Sequence, residues 1–333
     1  MRPFEYVEAR DAAEAVATVS GNPHAVFLGG GTNLVDHLKL GVAEPEVVVD
    51  VSRLPLREVD TTEEGGLRIG ANVANSDLAA HPLVRRQYPV LAEALLAGAS
   101  GQLRNAATSG GNLLQRTRCF YFQDLTTPCN KREPGSGCAA LEGHQRSHAV
   151  LGASDACVAV HPSDMAVAMA ALDAVVVTRG PDGERRHPMA GFHRLPGDTP
   201  QHDTVLEHGE LITAIELPPL PEVARSRYRK VRDRASYAFA LVSAGVVFAL
   251  DGREVTDVRI ALGGVAHKPW RARVAEQQLL GGPADHDAFV AAMDAELEQA
   301  APLPGNGFKV PLVRSTAVGV LRRLSGHETE VAS

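Results

Sequence analysis

The chain has 333 residues, more than the roughly 100–200 residues of one ordinary domain, so it is long enough to bury two or three cores. Apolar residues make up 44% and charged residues 22% of it, values that exclude a disordered, collagen-like or coiled-coil chain. The net charge of −7 argues against nucleic-acid binding and against attraction to an anionic membrane surface.

The N-terminal segment predicts a short strand from Phe4 to Val7, followed by a helix. Asp11 is placed to cap that helix, with Glu14 at the matching position of a capping box. No apolar run of signal-peptide length stands behind a basic segment, and no stretch approaches the ~18 apolar residues of a membrane span. We therefore expect no membrane span, and a protein that is cytoplasmic by its own sequence, or periplasmic if a signal-bearing partner exports it folded.

A glycine loop follows the next predicted strand. Residues 25–34, AVFLGGGTNL, run from the strand into three glycines, a hydroxyl and an amide. Because glycine lets the backbone approach a ligand closely, successive N–H groups of such a loop can form a nest for an anion. The spacing of a dinucleotide-binding fingerprint and the lysine of a P-loop are both absent. On this loop alone, a plain tight turn and a phosphate cradle are equally good interpretations.

The second region, residues 56–220, repeats this chemistry. Its predicted elements are strands at 67–73, 174–178 and 211–218, and helices at 90–100 and from Ser163 or Asp164 onward. Between them, residues 103–112, LRNAATSGGN, combine paired glycines, hydroxyls and an amide, and Arg104 can act on a phosphate or on the loop's own carbonyls. Two such loops suggest a diphosphate-bearing ligand held between subdomains; the alternative is two unrelated turns. The plain interpretation of Asp164 is a helix N-cap. Its functional interpretation is an acceptor for a hydrogen bond from a ligand hydroxyl or amide.

All the cysteines of the chain lie in one glycine- and polar-rich segment of this region, with the spacing C-x9-C-x8-C-x18-C: Cys119, Cys129, Cys138 and Cys157. The size of the chain and the scarcity of cysteine argue against a disulfide framework, and the close C-x2-4-C pairs of structural zinc are missing. Four thiolates converging from a long loop fit an iron–sulfur cluster. Nearby cations could offset its negative charge: Arg118, Lys131, Arg132 and Arg146. Zinc, with His144 or His148 replacing one cysteine, remains a rival.

The third region, residues 225–333, predicts an antiparallel sheet followed by two helices. Two of its strands meet at Asp251-Gly252, a hairpin signal, and Gly326 ends the last helix. Lys230 lies in a basic run, residues 227–234, for which a solvated strand face is the plain interpretation.

The order of these motifs resembles a known family. LGGGTNL, then LRNAATSGGN, then PSD before a helix, then a lysine-bearing strand are similar to the FAD-binding medium subunit of the molybdenum hydroxylases, the group of xanthine dehydrogenase, aldehyde oxidase and carbon monoxide dehydrogenase. The pattern R-N-x-A-T-x-G-G-N is specific for that family, and the resemblance covers essentially the whole chain. The cysteine segment, residues 113–161, is an insert that resembles the subgroup of the periplasmic aldehyde oxidoreductase flavoprotein subunit, in which it carries a [4Fe–4S] cluster.

The resemblance implies a role for each motif. The FAD diphosphate and ribityl chain would lie along Ala25, Val26, Phe27, Leu28, Gly29, Gly30, Gly31, Thr32, Asn33, Leu34, Thr108, Gly110, Gly111 and Asn112. Asp164 would bond the adenosine or ribityl part, the strand with Ile212 would pack on adenine or isoalloxazine, and Lys230 would tune the flavin potential by its charge. The four cysteines would ligate the cluster.

The resemblance also implies a fold and partners. The fold would be α+β, with a two-subdomain FAD-binding domain of the vanillyl-alcohol-oxidase or PCMH-like type (1–55 and 56–220) and a smaller α/β C-terminal domain (225–333) with a three-stranded antiparallel sheet. The chain would be an oxidoreductase subunit of a heterotrimer. A molybdenum-cofactor large subunit would oxidise the substrate, a small subunit with two [2Fe–2S] clusters would relay electrons, and FAD would pass them to an external acceptor such as oxygen, NAD or a quinone. A self-sufficient FAD oxidoreductase and a zinc-stabilised binding module remain as alternatives.

Overall fold

A computed structural model describes residues 1–326, and its three sheets follow one another along the chain. The first sheet is parallel, in the order β1-β3-β2. Its region contains β1 (Glu5–Glu8), α1 (Ala12–Ser20), β2 (Ala25–Leu28), α2 (Leu34–Leu40) and β3 (Val47–Asp50). The predicted cap of α1 is confirmed, since Asp11 accepts from the Glu14 N–H at 2.9 Å. The Glu14 carboxylate instead accepts from the Arg10 N–H at 2.8 Å, one residue before the capping-box position.

The second sheet is antiparallel, in the order β4-β5-β8-β6-β7. The elements of this region, in chain order, are β4 (Val59–Thr61), β5 (Leu67–Gly70), α3 (Asn75–Ala80), α4 (Pro82–Gln87), α5 (Pro89–Ala97), α6 (Gly101–Ala106), α7 (Ser109–Leu113), α8 (Phe120–Gln123), α9 (Asp164–Ala171), β6 (Val175–Gly180), β7 (Gly183–Pro188), α10 (Met189–Phe192) and β8 (Leu211–Leu217). The second glycine motif is therefore helical rather than a loop. Ser100 and Thr108 cap its two short helices, each hydroxyl accepting a backbone N–H at 3.3 Å.

The third sheet is antiparallel and four-stranded, in the order β12-β11-β10-β9. The elements are β9 (Arg225–Val231), β10 (Val242–Asp251), β11 (Glu254–Gly263), β12 (Trp270–Arg271), α11 (Arg273–Leu279), α12 (His286–Leu297) and α13 (Lys309–Leu324). The sequence predicted three strands in this sheet, but the structure adds a fourth, β12. This strand has two residues and is too short to show an alternating pattern in the sequence. The predicted region extends to residue 333, so its last residues lie outside the described chain.

The cysteine insert ties the second region to the third. It contains a single short helix, α8, and otherwise consists of turns. At its far end Val150 and Leu151 are fully buried in the core of the third region, where both of their N–H groups donate to the Val265 carbonyl. The core helices α5 and α9 also pack on strands of the third sheet. Within residues 1–326, no helix combines the length and the apolar character that a bilayer crossing requires.

Candidate functional site

The two glycine motifs meet face to face. A Cβ built on Gly30 would stand only 1.9 Å from the Ala106 carbonyl oxygen, and one on Gly29 would stand 3.0 Å from the Thr108 hydroxyl. The chain at Thr108 is also bridged to Ala74, so the second motif is held against the segment that follows strand β5. Only residues without side chains allow this approach, because any Cβ at Gly30 would overlap a backbone atom.

A cleft of about 950 Å³ opens between the two motifs. The predicted cofactor-binding residues in its wall are Phe27, Gly29, Gly30, Gly31, Thr32, Asn33, Leu34, Thr108, Gly110, Gly111 and Ile212. Ala25, Val26 and Leu28 lie outside the wall, within strand β2 beneath the first loop. The structure thus brings together motifs that are far apart in the sequence, with strand β8 forming one side.

Polar side chains of both motifs form hydrogen bonds with neighbouring segments of the chain. Asn33 Oδ1 accepts from the Arg116 N–H at 2.8 Å. Asn112 lies outside the wall, and its Oδ1 accepts from the Ser163 hydroxyl at 2.6 Å. Arg104 donates to the Gly98 carbonyl at 2.7 Å, which lies at the end of helix α5 and not within the motif itself.

Asp164 and Lys230 form a buried ion pair. Lys230 Nζ lies 2.7 Å from Asp164 Oδ2, and the two side chains are 4% and 7% exposed. The Tyr228 hydroxyl donates to the other carboxylate oxygen, and burial raises the pKa of Tyr228 well above its ordinary value. Ser163, not Asp164, caps α9, accepting from the Ala166 N–H at 2.9 Å. Lys230 is therefore not on a solvated strand face.

Asp164 lines a second cavity of about 510 Å³, which lies between the second and third regions. Its wall also includes Ser163 and Phe239, together with Cys119 and His148 of the insert. The structure therefore places the predicted flavin residues in two spaces, the cleft and this cavity, and the second of them reaches the cysteine segment.

The four cysteines share a third cavity of about 290 Å³. All four are free thiols, and Cys129 and Cys138 face each other across an isolated β-bridge. Cys119 Sγ lies 3.2 Å from His148 Nε2. Across residues 1–326, no group of three or more His, Cys, Asp or Glu side chains is arranged to hold a single metal ion. The cysteines thus surround a space and do not converge on one point.

Burial shifts the pKa values of two of these four thiols. It raises the pKa of Cys119 to about 11 and the pKa of Cys157 to about 12. The positive charge of Lys131 acts in the opposite direction on Cys157, but is too weak to overcome the desolvation. Without a cation in the cavity, Cys119 and Cys157 stay protonated at neutral pH, so a metal would have to displace the protons of these two thiols.

Only one of the four predicted cations lies in the wall of the cysteine cavity, and that is Lys131. The others have different partners. Arg132 donates to the Tyr121 and Phe122 carbonyls, Arg118 stacks on the Phe239 ring at 5.1 Å, and Arg146 pairs with Asp233 at 2.6 Å. Of the four cations predicted to offset the charge of a cluster, Lys131 is therefore the one placed directly at the cysteine cavity.

The sequence reasoning missed Arg116 and Asp203. Arg116 lies in the wall of the cleft, and its Nε donates to Asp203 Oδ2 at 2.9 Å. Burial alone would raise the pKa of Asp203, but the charges of Lys131 and Arg116 outweigh it and hold that pKa well below its ordinary value. Asp203 stands in an unremarkable polar stretch, far in sequence from both cations, so no local pattern could have identified it.

Comparisons with known proteins give two family matches. Residues 2–220 match the family described as the FAD binding domain in molybdopterin dehydrogenase, and residues 226–324 match the CO dehydrogenase flavoprotein C-terminal domain. The aldehyde oxidoreductase FAD-binding subunit PaoB of Escherichia coli (strain K12) is 54% identical over 96% of this chain and 98% of its own. The glyceraldehyde dehydrogenase medium chain of Sulfolobus acidocaldarius is 29% identical over 85% of this chain and 83% of its own.

A solved structure is similar over nearly the whole chain. In carbon monoxide dehydrogenase from Hydrogenophaga pseudoflava, one chain superposes with a TM-score of 0.76 at 28% identity. The match covers 97% of this chain and 98% of that one. The α+β class predicted from the sequence is thereby confirmed.

Proposed function

The chain belongs to the family of FAD-binding medium subunits of the molybdenum hydroxylases, and from this premise we propose how its cavities are used. It is a FAD-binding oxidoreductase subunit of a molybdenum-dependent complex of the aldehyde oxidoreductase and xanthine dehydrogenase type. The parallel sheet and the five-stranded antiparallel sheet are then the two subdomains of a PCMH-like domain (1–55 and 56–220), and the third sheet with its helices is the C-terminal flavoprotein domain.

The cleft between the glycine motifs is the FAD site in this proposal. FAD, when bound, accepts electrons and passes them on. The N–H groups of the two motifs bind its diphosphate, because closely apposed glycines expose backbone donors that a side chain would cover. Ile212 packs on one of the rings. The contact of Gly30 with Ala106 is the single observation that carries the assignment, since it joins both motifs in one binding surface.

Asp164 and Lys230 serve the flavin as a pair. The Asp164 carboxylate already accepts one hydrogen bond at each oxygen, from Lys230 and from Tyr228, so a ligand hydroxyl would share one of these oxygens. Conversely, the charge of Lys230 is largely balanced by Asp164. We therefore propose that the pair forms a polar but nearly neutral surface beside the flavin. Its effect on the flavin reduction potential is smaller than that of an isolated cation.

The cysteine cavity is the site of a [4Fe–4S] cluster, with Cys119, Cys129, Cys138 and Cys157 as ligands. The ligands of one zinc ion all lie about 2.0–2.3 Å from it, whereas a cubane cluster occupies a space and takes one thiolate at each iron. Four thiols that line one cavity, with no three side chains of residues 1–326 arranged around a single ion, suit the second arrangement. The buried Lys131 offsets part of the negative charge of such a site.

The complex is a heterotrimer with a molybdenum-cofactor large subunit and a small subunit carrying [2Fe–2S] clusters. This proposal is supported by the names of relatives, which are called FAD-binding subunits and medium chains. Electrons from the small subunit reach the flavin and leave to an external acceptor. Since the chain belongs to a complex, its location follows that of the complex: cytoplasmic, or periplasmic where a partner carries the export signal.

Metal and flavin analysis of the anaerobically purified chain tests both sites. We expect one FAD and about four irons per chain, with the EPR signal of a reduced [4Fe–4S] cluster. Cys129→Ser should lose most of the iron but still bind FAD when FAD is supplied in excess, because none of the residues that line the cleft is a cysteine. Ala153→Ser, which changes an exposed alanine of the same insert, serves as the matched control and should keep both. Zinc in place of iron, or unchanged iron in Cys129→Ser, would refute the ligand assignment.

A further inference from the structure

A single carboxylate connects the cleft to the cysteine cavity. Asp203 Oδ2 accepts from Arg116 Nε at 2.9 Å, and its Oδ1 accepts from Lys131 Nζ at 2.5 Å. Arg116 lies in the wall of the cleft, and Lys131 lies in the wall of the cysteine cavity. Asp203 therefore holds a charged side chain in the wall of each space.

The hydrogen bond between Lys131 and Asp203, on the side of the cysteine cavity, is deeply buried. The side chain of Lys131 is fully inaccessible to solvent, and it also donates to the Pro200 carbonyl at 2.6 Å. A buried cation that loses its carboxylate is strongly destabilised, because neither water nor a second charge replaces it. His267 Nε2 lies 3.8 Å from Asp203 Oδ1 and adds a further polar neighbour. Lys131 is thus fixed in place by Asp203.

The half at the cleft is fixed by the first glycine loop and by the insert. The backbone N–H of Arg116 donates to Asn33 Oδ1, and its guanidinium lies 4.7 Å above the ring of Phe122. Phe122 is buried in helix α8, which begins directly after Cys119. A shift of the cysteine ligands would therefore displace Arg116 through its stacking partner as well as through Asp203.

We propose that Asp203 is a positioning residue that couples FAD binding in the cleft to metal occupancy of the cysteine cavity. The proposal rests on the function proposed above for these two spaces. When the cysteines hold their metal site in shape, Lys131 and Asp203 keep Arg116 in the wall of the cleft. Since coupling of binding free energies is reciprocal, losing either ligand weakens the other.

The test is a double-variant cycle on the full-length chain, with the dissociation constant of FAD as the readout. The four proteins are the wild type, Asp203→Asn, Cys129→Ser and the combination. We expect each single variant to weaken FAD binding at least about fivefold, the lower end of the range for coupled sites. The combination should be no weaker than the weaker single variant, because both changes break the same connection.

Asp233→Asn is the matched control. It removes an aspartate that pairs with Arg146 of the insert on the exposed side, where the carboxylate is 58% accessible. This variant should leave FAD affinity unchanged. Losses that add in the combination, or FAD affinity that is unaffected in Cys129→Ser, overturn the coupling.

Arg116→Gln covers the case in which Asp203→Asn does not fold. It keeps Lys131 paired while removing the charge at the cleft, so it should make FAD affinity insensitive to Cys129→Ser. A remaining sensitivity of fivefold or more would contradict the proposal. The iron content of the wild type reports separately on the cluster, so a chain without iron refutes the cluster and leaves the cycle to decide the coupling.

Discussion

At Gly30 the absence of a side chain decides whether the two binding motifs meet. The nearest atom to a Cβ there would be a backbone carbonyl oxygen at 1.9 Å, which cannot move aside as a flexible side chain could. Gly101, in contrast, begins helix α6 with no atom within 4 Å of the Cβ position. Gly101 lies two residues before the second motif, and only Gly30 is required by its surroundings.

We predict that Gly30→Ala weakens FAD binding severely and lowers the free energy of unfolding by about 1–3 kcal/mol, the usual cost of forcing extra volume into a packed contact. Gly101→Ala should be neutral or stabilising by up to about 1 kcal/mol, because alanine is the better helix former. FAD titration and urea unfolding of both variants measure this. Wild-type FAD affinity in Gly30→Ala would show that the cleft does not need the close approach of the motifs.

Residues with buried ionic partners were the least accessible to sequence reasoning. Lys230 stands in a run of arginines that predicts a solvated face, yet it lies against Asp164, which is far away in the sequence. The same holds for Lys131 and Asp203. Such pairs form only when separate elements pack together, so neither charge pattern nor spacing indicates them. The glycine motifs were predictable because their chemistry is local.

Among the elements, those with a buried face of regular period were predicted well. The strand at β8 and the helix at α12 both place apolar side chains at the spacing their geometry requires. Strand β7 was missed because it is an edge strand whose sequence, GERRHP, exposes most of its charged side chains to solvent. The insert has no period at all, since its buried positions are set by the cysteine cavity and by contacts with the third region.

Helix α13 anchors that insert through its first residue. The side chain of Lys309 is fully buried and donates to the His148 carbonyl at 2.8 Å and to the Gly264 carbonyl. Just before the helix, Asn306 donates to the His148 and Ala149 carbonyls. Burial lowers the pKa of Lys309 to about 7, so the lysine is protonated less readily in the folded chain than in the unfolded one.

This shift predicts how stability depends on pH. The ordinary pKa of lysine is about 10.4, so between pH 7 and that value Lys309 is protonated in the unfolded chain but largely neutral in the folded chain. The contribution of Lys309 to the free energy of unfolding is therefore fully present above this range and is lost as pH falls towards 7. The free energy of unfolding of the wild type minus that of Lys309→Met should therefore rise from pH 7 to pH 10. Other titrating groups largely cancel in the difference. A flat or falling difference in urea unfolding would contradict the lowered pKa.

On the scale of the whole molecule, one segment of chain touches all three spaces. Arg116 lies in the wall of the cleft, Thr117 and Cys119 line both the Asp164 cavity and the cysteine cavity, and Arg118 lines the Asp164 cavity. The segment begins four residues after the second glycine motif ends and lies at the start of the insert. In the proposed function, the flavin and the cysteine site would lie on either side of this short segment. We therefore expect a change at one site to affect binding at the other.

The same arrangement leaves the cleft poorly equipped to oxidise a substrate by itself. The two charged side chains in its wall are already engaged, Arg116 with Asp203 and Glu210 with His187 at 2.8 Å. His37 is a weak base there, because burial lowers its pKa to about 4. The remaining wall consists of glycine, apolar and neutral polar residues that suit a bound cofactor.

We predict that the full-length chain loaded with FAD oxidises no aldehyde or purine by itself, although its flavin can be reduced chemically and reoxidised by an external acceptor. Turnover should arise only after a molybdenum-cofactor subunit and an iron–sulfur subunit are added, because the cleft offers no free base to a substrate. Steady-state assays of the isolated chain and of the reconstituted complex make the comparison, with the complex lacking its large subunit as the control. Sustained substrate oxidation by the isolated chain would place it among self-sufficient FAD oxidoreductases instead.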